Sequence, residues 1–288
     1  MPSARSFHSS PRKPRLALPP GACDTHFHVF GPQAAFAFAA ERRFTPADAP
    51  KERLFALHAH LGIERGVVVQ SAVHGYDNSA AADLLKARPS RYLGIALVRP
   101  TEDIEHLKAL HAQGFRGARF QYMRHLGQPT PIEVVLGFAR RLADIGWHLQ
   151  IHLEADLLEG MSAALTRSPV PVVIDHMARL DASQGLQQKP FLHLERLLEN
   201  PDIWVKVSGV ERASRAGPPY ADAVPFARKL VEDFGDRVLW GTDWPHPNHH
   251  GPIPDDGELV DMLAEIAPGE AQRHALLVGN PARLYGFS

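Results

Sequence analysis

The chain has 288 residues, of which 44% are hydrophobic and 22% are charged, and its formal net charge is −1. These values are typical of a folded globular protein, and because basic and acidic residues are interspersed the chain lacks the basic stripe of a nucleic-acid-binding protein. No apolar run approaches the ~20 residues that a membrane-spanning helix needs, so no membrane partner is expected. A single cysteine, Cys23, excludes an internal disulfide framework and favours a cytoplasmic protein.

The first twenty residues carry Arg5, Arg12 and Arg15 among prolines and serines, and they lack the apolar segment of a signal peptide. We expect residues 1–20 to form a flexible N-terminal arm. No linker or change of composition interrupts residues 21–288, which we expect to form one domain. The sequence leaves open whether the protein forms a homo-oligomer.

Short runs rich in β-branched and apolar residues recur along the domain, as expected for strands that are buried on both faces. Eight such strands are predicted, at residues 22–29, 66–70, 92–98, 117–121, 147–153, 170–177, 203–210 and 237–243. Amphipathic patterns predict helices at residues 50–61, 77–87, 102–113, 132–145, 157–166, 191–199, 221–234, 257–266 and 270–284. Gly114 and Gly146 suit the position after a helix, where left-handed backbone is common.

Strands that alternate with helices at this spacing predict βαβ units and a parallel sheet. Eight such units favour the α/β class with a single (β/α)8 TIM barrel. The alternative is a doubly wound open sheet, which normally has a glycine-rich phosphate loop after its first strand. Residues 26–32, His-Phe-His-Val-Phe-Gly-Pro, are not such a loop, so the barrel is preferred.

Polar residues stand at the carboxyl ends of the predicted strands, where barrels of this kind build their active sites. His26 and His28 are two positions apart on the first strand, so both side chains point to the same face. The later strand ends contribute Arg119, His152, His176, Ser208, Arg212 and Asp243. Their repeated occurrence at strand ends predicts one polar site at the mouth of the barrel.

Asp243 is the candidate general base of this site. It lies in residues 239–248, Leu-Trp-Gly-Thr-Asp-Trp-Pro-His-Pro-Asn. A carboxylate at a strand end beside aromatic side chains can take a proton from water. Pro245 and Pro247 disfavour an immediate helix start, which argues against a role for Asp243 as a helix cap.

Several separate motifs resemble the amidohydrolase superfamily, in its branch of 2-pyrone-4,6-dicarboxylate hydrolases and related lactonases. They are Cys-Asp-Thr-His-Phe-His-Val-Phe-Gly-Pro at 23–32, Val-Val-Val-Gln-Ser at 67–71, Gly-Ala-Arg-Phe at 117–120, Ile-Asp-His-Met at 174–177, Lys-Val-Ser-Gly at 206–209 and Trp-Gly-Thr-Asp-Trp-Pro-His-Pro-Asn at 240–248. The segment 279–286 also resembles the closing helix of that superfamily. The resemblance runs from about Gly21 to the C-terminus.

The resemblance implies a role for each matching residue. Its catalytic set consists of Asp243 as the general base and three carbonyl-polarising histidines, His26, His28 and His176. Its contacts to the substrate carboxylates are Arg119, Arg124 and Arg212, with Asn248 and Ser71 as further polar contacts. The chemistry agrees, because guanidinium groups bind carboxylates through two parallel hydrogen bonds. Arg119 on an interior strand in particular needs an anion nearby.

The resemblance leaves the metal content open. The pyrone hydrolases work without a metal, and no cofactor is then required. His152, however, stands where that branch has a tyrosine that contacts the substrate. A mononuclear site of the kind found in other superfamily members, with Zn²⁺ as the expected ion, would be formed by His26, His28, His152 and Asp243.

The sequence therefore predicts a carboxylic ester hydrolase that opens the lactone ring of a small anionic dicarboxylate in aromatic-compound catabolism. Phe44 lacks the hydroxyl group that the resemblance implies at this position, which leaves sulfomuconolactone or a sugar lactone as alternative substrates. A metal-dependent decarboxylase is less favoured. A barrel that binds an acidic metabolite without turnover is also less favoured, because the His26, His28 and Asp243 set is intact.

Overall fold

Eight parallel strands form one sheet in the order β1 to β8 in the computed structural model of the protein, which describes residues 5–287. Backbone hydrogen bonds join the last strand to the first: the Thr25 amide donates to the Trp240 carbonyl at 2.9 Å, and the Asp243 amide donates to the His26 carbonyl at 2.7 Å. These bonds close the sheet into a barrel. The prediction of a single (β/α)8 TIM barrel is confirmed.

The strands alternate with helices as the sequence predicts. The strands are β1 Cys23–Phe27, β2 Arg65–Val69, β3 Tyr92–Leu97, β4 Phe115–Tyr122, β5 His148–Leu153, β6 Val172–Ile174, β7 Ile203–Lys206 and β8 Val238–Leu239. The α-helices are α1 Lys51–Leu61, α2 Ser79–Ala87, α3 Ile104–Ala112, α4 Ile132–Ala143, α5 Leu158–Leu165, α6 Lys189–Leu198, α7 Val210–Ala213, α8 Val224–Phe234, α9 Asp256–Asp261, α10 Leu263–Ile266, α11 Glu270–His274 and α12 Asn280–Tyr285. None of the helices in this part of the chain is long and apolar enough to cross a membrane.

Strands β6, β7 and β8 end earlier than the sequence predicts. After each of them the backbone enters a left-handed conformation, with φ of 50° at His176, 82° at Gly209 and 57° at Asp243. A strand cannot continue through such a conformation. Candidate site residues that were predicted at these strand ends therefore lie in the loops that follow.

The barrel interior is mainly apolar at the amino ends of the strands and polar at their carboxyl ends. Tyr285 and Phe287 from the C-terminal segment pack against the interior aliphatic cluster and close the apolar end. The ring of Tyr285 also contacts His148 at the start of β5, with centroids 5.3 Å apart. The polar end is left for the candidate site.

The N-terminal segment from residue 5 to residue 20 contains no helix or strand. It nevertheless lies against the domain, because the Arg12 amide donates to Asp255 Oδ2 at 3.0 Å and the Leu16 amide donates to Asp261 Oδ1 at 2.8 Å. The flexibility expected of this arm stays a prediction, and its first four residues lie outside the described part of the chain.

Candidate active site

The seam between β1 and β8 places Asp243 against the two histidines of the first strand. Besides the bond between Asp243 and His26, the His28 amide donates to the Trp244 carbonyl at 2.7 Å. Gly241 allows this close approach, because a Cβ atom at that position would lie 2.5 Å from the His26 amide nitrogen. Backbone geometry thus fixes the distance between the carboxylate and the imidazoles.

Three imidazole rings surround one carboxylate oxygen. Asp243 Oδ1 lies 3.3 Å from the Nε2 atom of His28, 3.7 Å from that of His26 and 3.8 Å from that of His176. All four side chains are buried. The other ring nitrogen of His28 lies 2.6 Å from the Val69 carbonyl oxygen, which can only accept a hydrogen bond. His28 therefore carries a proton on Nδ1.

His26 has two charged partners on its other ring nitrogen. Its Nδ1 atom lies 3.2 Å from Asp175 Oδ1 and 3.2 Å from Lys206 Nζ. Burial lowers the pKa of His26 to about 3, and the Lys206 cation adds to this effect, so the ring is neutral. If Nδ1 accepts from Lys206, the proton is on Nε2; if Nδ1 donates to Asp175, Nε2 has a free lone pair. The two partners therefore suit His26 to act as a hydrogen-bond donor or as a metal ligand.

Asp243 is ionised although it is buried. Burial alone would raise its pKa, but the positive charge of Arg212 and the neighbouring His176 hold the pKa of Asp243 well below its usual value. Arg212 Nε donates to Asp243 Oδ2 at 2.5 Å, whereas Oδ1 has no hydrogen-bond partner within residues 5–287. Oδ1 is thus the oxygen that is free to accept a proton.

A left-handed turn after β6 carries His176 and Arg179 to the mouth of the barrel. Residues 176–179 all have φ between 50° and 58°, a conformation that costs ~1–2 kcal/mol for each residue that is not glycine. His176 Nδ1 lies 3.0 Å from Ser208 Oγ. Gly209 makes room for the turn, because a Cβ atom there would lie 2.9 Å from the His176 Cβ. Backbone strain concentrated at one site is typical of a functional constraint.

The pocket beside Asp243 is lined by strand ends and by the loops that follow them. It brings together eight residues predicted from the sequence, His28, Ser71, Arg119, His152, His176, Arg212, Asp243 and Asn248. Phe44 also lines the pocket. His26 is fully buried, and it contacts Asp243 through its ring and through its backbone carbonyl.

The structure does not bring Arg124 into this pocket. Its side chain is 67% exposed on the short turn after β4, and it pairs with Glu154 and Asp156. These two carboxylates satisfy the guanidinium group locally. A contact between Arg124 and the substrate stays a prediction.

Arg119 meets an anion inside the protein. Its Nε and Nη2 atoms lie 3.0 Å and 2.9 Å from Asp175 Oδ2. Asp175 was not predicted as a site residue; it is fully buried, and its other oxygen lies 3.7 Å from Lys206 Nζ. Arg119 therefore has its charge balanced before any substrate binds, although its side chain also lines the pocket.

Arg179 is the other residue that sequence reasoning missed. It lines the pocket, and no hydrogen bond or ion pair of its side chain is present within residues 5–287. Burial lowers its pKa to about 10, and the nearby Arg212 cation adds to the effect, so the guanidinium is charged at neutral pH. Its only sequence signal was its place three residues after His176, because no periodicity reveals a left-handed turn.

The carboxylate of Asp175 is expected to stabilise the fold in a pH-dependent way. Burial raises its pKa, but His26, Arg119 and Lys206 together bring that pKa well below its usual value. The folded pKa is thus lower than the unfolded value of ~3.9, so the stabilisation is present above about pH 4 and is lost as the pH falls toward the folded pKa. We expect Asp175→Asn to lower the free energy of unfolding by about 3–5 kcal/mol at pH 7, since two buried cations lose their partner.

Urea denaturation from pH 7 to pH 3 measures this effect. The difference in the free energy of unfolding between Asp175→Asn and the wild type should decrease progressively below about pH 4. Asp202→Asn removes an exposed carboxylate and should change the free energy of unfolding by no more than ~0.5 kcal/mol. A difference that stays constant over the whole range would contradict the assignment of the effect to ionised Asp175.

The donor atoms of the site fit a divalent metal ion. His26, His28 and Asp243 each offer one ligand atom, and these atoms lie within 4.8 Å of one another. With Nδ1 of His28 protonated, its Nε2 lone pair faces the free carboxylate oxygen at 3.3 Å, and two acceptors at this distance suit a cation or a proton between them. His152 is not part of this group within the described residues, and neither of its ring nitrogens has a hydrogen-bond partner there.

The barrel, the His-x-His strand and the aspartate after β8 define an amidohydrolase site. The amidohydrolase family model matches residues 23–287, and the chain belongs to that family. The chain is 45% identical to a 2-pyrone-4,6-dicarboxylate hydrolase from Comamonas testosteroni over 288 aligned positions, which cover 97% of this chain and 94% of the relative. It is 42% identical to a 4-sulfomuconolactone hydrolase from Rhizobium radiobacter, with 94% of this chain and 92% of the relative covered.

A solved structure supports the same grouping. The protein comes from Acinetobacter baumannii and is described as a probable 2-pyrone-4,6-dicarboxylic acid hydrolase with citric acid bound. It superposes with a TM-score of 0.81 at 27% identity and covers 93% of this chain and 100% of its own. The resemblance inferred from the sequence motifs is therefore confirmed at the level of the family.

Proposed function

We propose that the protein is a lactone hydrolase that opens the ring of a dicarboxylate lactone of the 2-pyrone-4,6-dicarboxylate type. The observation that carries the proposal is the ionised Asp243, with three imidazoles around one oxygen, in a pocket that presents cationic side chains. The hydrolase names of the relatives support the same reaction. We place the enzyme in the cytoplasm, as the single cysteine favours, and in aromatic-compound catabolism, as the resemblance implies.

In this reaction Asp243 Oδ1 takes a proton from a water molecule as the water oxygen attacks the ring carbonyl carbon. His26 and His176 donate through Nε2 to the carbonyl oxygen as it gains negative charge. His176 can do so because its Nδ1 can accept from the Ser208 hydroxyl group. When the ring C–O bond breaks, Asp243 returns the proton to the leaving oxygen, so the carboxylate is regenerated.

The same side chains would hold a metal ion if the enzyme binds one. A zinc ion held by His26, His28 and Asp243 would act as a Lewis acid on the lactone carbonyl. His28, with its Nδ1 proton donated to the Val69 carbonyl, would contribute Nε2 as a ligand. Without a metal, the ring of His28 donates through Nε2 only as an imidazolium.

The cationic residues of the pocket would bind the two acidic groups of the substrate. Arg179 has no partner of its own within the described residues, so it is the guanidinium most available to a carboxylate. Arg212 donates to Asp243 and to the Pro247 carbonyl, which leaves part of its fork for a ligand. Arg119 is balanced by Asp175 and would contribute the remaining donors of its guanidinium.

A second candidate substrate is a sulfonated muconolactone. Phe44 and His152 both line the pocket in this chain, at the two positions where the resemblance implies hydroxyl-bearing side chains. A sulfonate group would satisfy the same arginines as a carboxylate. Two relatives named as 4-sulfomuconolactone hydrolases, 42% and 38% identical, support this alternative.

The test is a panel of 2-pyrone-4,6-dicarboxylate, 4-sulfomuconolactone, a sugar lactone and a neutral lactone, assayed by ring opening. Protein purified without chelator is analysed for metals, and activity is measured before and after chelation and after zinc is restored. Turnover of the pyrone dicarboxylate at least tenfold above the neutral lactone is expected. No hydrolysis of any lactone, with or without zinc, would overturn the proposal.

A further inference from the structure

The N-terminal segment contacts the loop that carries the general base. Phe7 is only 4% exposed, and its ring packs on the indole of Trp244, with centroids 5.1 Å apart and planes at 58°. Ser6 Oγ donates to the Pro245 carbonyl at 2.5 Å. Trp244 and Pro245 directly follow Asp243 in the sequence. Two residues of the arm therefore hold the immediate neighbours of the catalytic carboxylate.

The loop after β8 contains backbone that needs external support. Asp243, His246 and Asn248 have φ of 57°, 56° and 54°, and none of them is glycine. Each such residue costs about 1–3 kcal/mol and keeps this conformation only where the surrounding structure fixes it. Inside the loop, His246 is held by a contact to Asp256 at 3.2 Å. The backbone of Trp244 is held by the bond from the His28 amide, and its indole ring is packed by Phe7 of the arm.

The arm is also fixed farther along the same loop. Besides the bond between the Arg12 amide and Asp255, the Arg12 carbonyl packs so closely on Gly257 that a Cβ atom there would lie 2.0 Å from its oxygen. The Leu16 amide donates to Asp261 at the end of α9. The arm thus follows the chain from Trp244 to α9 rather than touching it at one point. Only the part of the chain from residue 23 onward is covered by the amidohydrolase family model.

We infer that residues 5–16 form a strap that holds Asp243 in position, with Phe7 and Ser6 as its positioning residues. The inference rests on the proposed function, since that function makes Asp243 the general base. Removal of the Phe7 ring uncovers Trp244, and the strained loop can then relax. Asp243 Oδ1 would leave its place among the three imidazoles for part of the time.

The first measurement compares kcat and KM in strap variants. Phe7→Ala is expected to lower kcat about tenfold, which corresponds to a loss of ~1.4 kcal/mol of transition-state stabilisation. KM should change by less than about threefold, because Arg119 on β4 and Arg179 in the turn after β6 lie outside the loop that follows β8. Ser6→Ala should lower kcat by a smaller factor. Phe7→Leu should keep most of the activity, because it preserves apolar contact with Trp244.

Matched controls separate positioning from stability. Phe191→Ala removes a buried ring that packs on Phe226, 5.0 Å away between α6 and α8 and outside the pocket. It should lower Tm yet leave kcat within about twofold. Ser10→Ala removes an exposed hydroxyl group of the same arm and should change neither quantity. An equal loss of kcat in Phe7→Ala and Phe191→Ala would overturn the strap, and so would unchanged kcat in both Phe7→Ala and Ser6→Ala.

A readout that does not depend on turnover completes the test. In protein labelled with 5-fluorotryptophan, the ¹⁹F resonance of Trp244 should shift and broaden in Phe7→Ala and return close to its original position in Phe7→Leu. If the wild type hydrolyses no lactone of the panel, the proposed function fails and the resonance alone decides whether the strap holds the loop. An unchanged Trp244 resonance in Phe7→Ala overturns the strap in either case.

Discussion

Asp243→Asn should lower kcat by at least about 10³-fold, toward the upper end of the 10²–10⁴-fold range for the loss of a general base. Asparagine has the same shape, and its carbonyl oxygen can still accept from Arg212 Nε. It cannot take a proton from water, however, and Asp243 Oδ1 is the one oxygen of this carboxylate without a hydrogen-bond partner in the described residues. The variant should therefore keep the geometry of the site and lose the proton transfer from water.

The same substitution should preserve or increase the affinity for the substrate, although it lowers kcat. The carboxylate of Asp243 repels an anionic substrate, so Asp243→Asn is expected to bind the dicarboxylate lactone as tightly as the wild type or more tightly. Isothermal titration calorimetry of the unreactive variant measures this directly. The control is Asp181→Asn, which neutralises a carboxylate outside the pocket that pairs with Arg215. More than a tenth of the wild-type kcat in Asp243→Asn would show that another group is the base.

The fold was predictable because its signals are local and repeated. Each buried strand needs a short run such as Val67–Val69, and each helix needs an apolar stripe such as that of α4, so eight repeats of the pair identify the barrel. The positions of His26, His28, Asp243 and Arg212 followed from the strand ends and the family motifs. These residues lie on the barrel strands or within a few residues of their ends, so the barrel topology brings them to one face.

The misplaced or missed residues depend on backbone that a periodic pattern does not encode. The left-handed turn at residues 176–179 ends β6 early and places Arg179 in the pocket lining. None of the residue types in this turn requires positive φ, so the sequence does not reveal it. Asp175 was missed because a buried carboxylate reveals its role only through its partners, Arg119 and Lys206, which come from other strands. The predicted contact between Arg124 and the substrate stays a prediction, and in the structure this side chain pairs with Glu154 and Asp156.

Arg179→Met should raise KM for the dicarboxylate lactone about 10²-fold and leave KM for a neutral lactone within about threefold. The expected size follows from the loss of a buried pair between a guanidinium and a carboxylate, which costs about 2–5 kcal/mol. Arg179 is a sharper test than Arg119 or Arg212, because those two residues already pair with Asp175 and Asp243 and their loss would disturb the catalytic groups as well. Met keeps the apolar stem of the side chain, so the turn after β6 should be preserved.

The KM values of three variants show whether Arg179 binds the acidic group through its charge or through its planar guanidinium. Arg179→Lys keeps the charge but loses the planar fork, so it should recover only part of the affinity if two parallel hydrogen bonds hold the carboxylate. Arg167→Met removes an exposed arginine that pairs with Glu133 and should leave KM unchanged for every lactone. Equal increases in KM for the charged and neutral lactones in Arg179→Met would mean that the residue shapes the pocket without binding the acidic group. If Arg179→Lys instead restores the wild-type KM, Arg179 contributes only its positive charge. The other arginines would then orient the ligand.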